Sequence, residues 1–91
     1  MTEFRPANQV HWAVERTGLL LIHADSGASC LLGYPDAAVW DLLARGNTPE
    51  IVASKLCAIA ALAPAEAQAL VDALTARWHA AGWLSEEAAG G

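Results

Sequence analysis

Ninety-one residues suit one domain with a modest core, and ten acidic against five basic side chains leave a formal net charge of −5. That balance opposes a surface built for phosphate backbones, which needs clustered Lys and Arg. The 55% hydrophobic fraction includes 21 alanines, which promote helix more than they reward burial, so the packing load falls on Leu, Val, Ile and four tryptophans.

Residues 1–8 read as a loose lead-in, residues 9–84 as a single domain and residues 85–91 as a frayed polar tail. From Gln9 to Glu15 the chain alternates, with Val10, Trp12 and Val14 on one face, the mark of a half-buried strand. Arg16-Thr17-Gly18 makes a turn. Leu19 to Ala24 is apolar on both faces apart from His23, as in a central strand. Asp25-Ser26-Gly27 is a second turn, and Ala28 to Leu32 forms the third strand. Turns this short predict an antiparallel meander in the spatial order one, two, three.

The helices carry their own punctuation. In the first, Pro35 suits an opening position, Val39, Trp40, Leu42 and Leu43 form the buried stripe, and Arg45-Gly46 ends it. Thr48-Pro49-Glu50 starts the second: Thr48 caps, Pro49 has no N–H to lose, and Glu50 faces the positive helix end. Val52, Leu56, Ile59 and Ala60 line its inner face. Pro64 opens the third, where Ala67, Leu70, Val71, Leu74, Trp78 and Ala81 recur at spacings of three and four before Gly82. The tryptophans Trp12, Trp40, Trp78 and Trp83 all fall on core-facing positions.

Chemistry-bearing patterns are absent from the sequence. His11, His23 and His79 are far apart, Cys30 and Cys57 have no ligand-spaced neighbours, and no phosphate-cradling glycine loop exists. The two thiols read as reduced core residues, so no catalytic residue, metal or cofactor is assigned and the chain is expected not to be an enzyme. MTEFRPANQ holds no apolar core of the signal-peptide kind, and no run reaches the 18 or so apolar residues of a membrane span. A cytoplasmic location, without membrane or nucleic-acid partners, is the expectation.

Ser29-Cys30-Leu31-Leu32 lacks the charge and proline that usually blunt an exposed edge. Such a strand either receives a strand from another chain or is covered by the N-terminal residues or the third helix. On that helix Ala65, Ala69, Ala73, Ala76 and Ala80 form a row of small side chains. The row either lets an extended peptide approach, with Leu70 or Leu74 as a pocket wall, or simply maintains helicity on a wet face. Arg77 either meets an acidic peptide residue or complements the helix dipole.

Trp40-Asp41-Leu42-Leu43 ahead of Gly46, Thr48-Pro49-Glu50-Ile51-Val52 with Leu56, and Leu70-Val71-Asp72-Ala73-Leu74 leading to Gly82-Trp83-Leu84 follow the three strands. In that order they resemble the PqqD-like family, the RiPP recognition elements that bind leader segments of ribosomally made, post-translationally modified peptides. The resemblance covers roughly residues 9–84. It implies an α+β, winged-helix-like domain with a three-stranded antiparallel meander followed by three helices. It also implies a non-catalytic module, with a leader peptide lying antiparallel along the third strand and pressing apolar side chains into a cleft bordered by the third helix. The positions implicated are Ser29, Cys30, Leu31, Leu32, Ala69, Leu70, Ala73, Leu74 and Arg77.

The implied partners are a precursor peptide's leader and a modifying enzyme, often a radical S-adenosylmethionine protein, in RiPP or cofactor biosynthesis. The Gly33-Tyr34-Pro35 corner departs from the Leu-Asn ending that family members often carry, so the resemblance extends to the wider family and leaves membership of the pyrroloquinoline quinone pathway open. Two other functions fit the element inventory. One is a winged-helix DNA-binding regulator, opposed by a second helix whose one base is Lys55. The other is a structural adaptor docking a partner helix on the Trp-rich face. The chain is expected to be a monomer or weak dimer.

Overall fold

Two short turns fold the early part of the chain into a meander, and three capped helices then pack across one side of it. The computed structural model describes residues 2–88. The elements are β1 (Thr2–Pro6), β2 (Val10–Glu15), β3 (Gly18–His23), β4 (Ser29–Leu32), α1 (Asp36–Ala44), α2 (Pro49–Ile59), α3 (Pro64–Ala80) and β5 (Leu84–Ala88). An antiparallel sheet runs β2-β3-β4, with Val10 opposite His23 and Leu19 opposite Leu32. This is the expected α+β meander followed by helices, its third expected strand being β4.

The chain ends differ from expectation. The lead-in contains β1, which pairs antiparallel with β5 so that Thr2 faces Ala88 and Pro6 faces Leu84. Neither segment has enough apolar residues for a visible alternation, and their support is non-local. Phe4 meets His79 edge-on at 5.9 Å, and Ala7 N–H donates to the Trp83 carbonyl at 3.0 Å. The remainder of the expected tail, residues 89–91, lies outside the described residues.

Local signals placed the helices well. Thr48 Oγ1 accepts from the Ile51 N–H at 3.4 Å with Pro49 at the first helical position. Ala63 N–H donates to Glu66 Oε1 at 3.3 Å at the start of α3. Pro35 is the N-cap of α1 rather than its first residue, and the Tyr34–Pro35 peptide bond is cis. Tyr34 then reaches across, its hydroxyl donating to the Ile59 carbonyl at 2.9 Å.

The core lies between the sheet and the helices. Leu19, Leu21 and Leu32 come from the sheet, Val39, Trp40 and Leu43 from α1, Val52 and Leu56 from α2, and Val71, Leu74 and Trp78 from α3. Trp40 is fully buried and touches two other indoles edge-on, Trp12 at 5.8 Å and Trp78 at 5.4 Å.

Four side chains depart from their expected burial. Ile59 is exposed, because the buried stripe of α2 centres on Val52, Ala53 and Leu56 and Ile59 falls at its margin in the last turn. Ala81 is the exposed C-cap of α3, and Thr75 takes the buried place instead, its hydroxyl donating to the Asp72 carbonyl at 3.1 Å. Trp12 is half-exposed and Val14 is 86% exposed, because the β2–β3 turn runs out beyond its cover. The short side chains Ala37 and Ala38 of α1 leave a cleft of about 560 Å³ there, bordered by Val14, Arg16, Tyr34, Asp41 and Arg45.

Gly18 controls how β4 meets β3. Its φ is +157°, and a Cβ there would collide with the Leu32 carbonyl oxygen, so only glycine lets the two backbones approach. Gly18→Ala is therefore expected to destabilise the domain by about 2 kcal/mol or more, read from chemical denaturation.

Candidate functional site

The β4 edge follows from the direction of its backbone groups. In an antiparallel ladder, alternate residues exchange both hydrogen bonds with one neighbour while those between face the other way. His23 N–H donates to the Ala28 carbonyl at 2.8 Å, which fixes the phase. With Leu21 opposite Cys30 and Leu19 opposite Leu32, the backbones of Cys30 and Leu32 point to β3. The N–H and C=O groups of Ser29 and Leu31 therefore point away from the sheet. Among the described residues no strand lies on that side of β4.

The other edge, β2, is less available. Its Val10 N–H is taken by the Ala7 carbonyl at 3.0 Å, and its far end carries Glu15 beside Arg16. β4 has neither a charge nor a proline along its length.

Side chains of β4 divide between two faces. Leu32, 5% exposed, and half-buried Cys30 point to the helix side, opposite buried Leu19 and Leu21. Ser29 and Leu31 point outward, opposite Ile22 and Leu20. Of the α3 positions singled out in the sequence, Leu74 is buried and Leu70 half-buried. Leu32 and Leu74 belong to one core cluster, with Cys30 and Leu70 packed against it. Ala69, Ala73 and Arg77 are exposed and recur every fourth residue, one stripe of the helix surface. The nine positions thus sort into four core or core-packed side chains (Cys30, Leu32, Leu70 and Leu74), two outward-facing residues of β4 (Ser29 and Leu31) and three exposed residues on one stripe of α3 (Ala69, Ala73 and Arg77).

Asp41 and Arg45 pair on α1 at 2.9 Å, Lys55 Nζ donates to Asn47 Oδ1 at 3.3 Å, and His79 lies 3.7 Å from Glu86. A second cleft, about 440 Å³, opens between α2 and α3 at Ala53, Cys57, Pro64 and Gln68. Among the described residues no group of three or more His, Cys, Asp or Glu is placed to share a metal ion, and no helix is long and apolar enough to cross a membrane.

Sequence reasoning missed the cleft beside Tyr34. Alternation says which way Trp12 and Val14 face, but not that nothing stands opposite them. It also left Leu31 without a face, because β3 is apolar at Leu19, Leu20, Leu21 and Ile22 alike and gives no polar side to count from.

Backbone direction makes a checkable statement about the free protein. By amide hydrogen exchange, the Ser29 and Leu31 N–H groups are expected to exchange at least about fivefold faster than those of Cys30 and Leu32, for want of one hydrogen bond each.

No family model matches the chain, and no curated protein does. Two solved structures do. A lasso peptide synthetase B1 complexed with the leader peptide aligns with a TM-score of 0.85 at 24% identity, covering 91% of this chain and 98% of that one. TbiB1 in complex with the TbiA(beta) leader peptide aligns with a TM-score of 0.84 at 18% identity, covering 89% and 94%. Over nearly all of its described length, this chain has the fold of two proteins solved with leader peptides bound.

Proposed function

We propose that the chain is a non-catalytic peptide-binding module that captures the leader segment of a ribosomally made precursor by strand addition to β4 and presents it to a modifying enzyme. The observation that carries this reading is the open edge of β4, with the outward-pointing backbone groups of Ser29 and Leu31. The likeness in fold to two leader-bound proteins supports it. Half-buried Cys30 and Leu70 are the apolar side chains this reading assigns to the peptide, both packed on the core cluster that holds Leu32 and Leu74.

Magnitudes say what kind of peptide this edge holds. Micromolar affinity needs about −8 kcal/mol. Ordering a disordered leader costs about 2–5 kcal/mol. The backbone groups of two residues provide up to four hydrogen bonds, each worth about 1 kcal/mol net. Two or three buried apolar side chains, at about 1.5–3 kcal/mol each, supply the balance. Recognition by apolar anchors also suits a strand that carries no charge along its length. The DNA-binding alternative has little to stand on: α2 offers Lys55, which already donates to Asn47.

The test is a pair of proline variants titrated with a labelled leader from a precursor encoded beside the chain. Leu31→Pro removes an N–H that faces the open side, so binding is expected to fall at least tenfold, for about 1.4 kcal/mol or more, while the fold survives. Cys30→Pro removes a bond to β3 and is expected to lower the melting temperature. Equal affinity of Leu31→Pro and the unchanged chain, by fluorescence anisotropy, would exclude β4 as the docking strand.

A further inference from the structure

A strand laid against β4 cannot place all its side chains on the helix side. Successive side chains of an extended peptide point to opposite faces, and residues directly opposite across a ladder share a face. The peptide residue that exchanges hydrogen bonds with Leu31 therefore projects over the outer face of the sheet, beside the Leu31 side chain. That face is apolar where such a side chain would land. Leu31 is 53% exposed and Ile22 40%, Leu20 is half-buried, and Ala13 continues the row across β2. Gly33, just past β4, has open space where a Cβ would be and so does not fence the patch.

Folding alone gives no reason for these residues. The outer positions of β2 carry His11, Ala13 and Glu15, as a wet face should, whereas β3 and β4 turn Leu20, Ile22 and Leu31 outward next to the one uncharged edge. We propose that this outer patch is a second subsite for the bound peptide, which reads an apolar side chain at the residue paired with Leu31. It rests on the strand-addition reading and deepens it. The helix side and the outer face each select alternate residues of one segment, so the substrate class is an extended peptide apolar at both parities, not merely at every second position. Its continuity with the edge identifies the occupant: whatever pairs with Ser29 and Leu31 must cover Leu31 with its own side chain.

Selection of displayed random dodecapeptides on the full chain, unchanged and as Leu31→Lys, tests this. The unchanged chain is expected to enrich apolar residues at both parities of the paired segment. Leu31→Lys is expected to exchange them for Asp or Glu at one parity and keep them at the other. The same enrichment on both proteins would overturn the second subsite and leave strand addition standing, the patch then belonging to some other partner. Failure of the unchanged chain to enrich any peptide would overturn strand addition itself, and the inference with it. Should Leu31→Lys unfold, Leu31→Thr keeps a strand-favouring residue, and peptides selected on the unchanged chain are expected to bind it about threefold more weakly. Undiminished binding to Leu31→Thr would also refute the subsite.

Discussion

The indole of Trp40 holds the layers together. It is fully buried on α1 and meets both Trp12 of the sheet and Trp78 of α3 edge-on. Burying an indole removes about 150–250 Å² from water, worth about 4–6 kcal/mol, and each aromatic pair adds about 0.5–1.5 kcal/mol. Its N–H has no hydrogen-bonding partner, a cost of about 1–3 kcal/mol. Packing outweighs that cost, and one side chain of one short helix thereby fixes the sheet and α3 relative to each other.

A second condition is that nothing in the described chain fills the place beside β4. The N-terminal strand is the obvious candidate to do so, and it is engaged elsewhere. β1 pairs along its length with β5, and the turn that follows supplies the Ala7 carbonyl to Val10. β1 and β5 satisfy each other's backbone, so neither covers the uncharged edge of β4. Gly18 completes the arrangement by seating the far end of β4 tightly on β3.

Much of this was legible in the residues, and the misses share a cause. Thr48-Pro49, Gly46 and Gly82 announce helix ends because capping is local chemistry, and Asp25-Ser26-Gly27 announces a hairpin for the same reason. The β1–β5 ribbon was not legible, because it joins residues 78 to 86 positions apart with little apolar content. Nor was the exposure of Val14 and Ile59, since periodicity reports a direction and not whether anything packs there. For the proposed site, the edge strand and its lack of charge were readable at once. Which of its residues point their backbone outward was not, because that depends on the phase set by His23 and Ala28.

The pairing of Thr2 with Ala88 has an engineering corollary. Facing residues of an antiparallel ladder stand about 5 Å apart, so a polypeptide joined at those two points enters and leaves side by side. Spliced into a surface loop of a larger protein, the domain would hardly spread the loop's stems, and its host would gain a folded unit without rearranging its own scaffold.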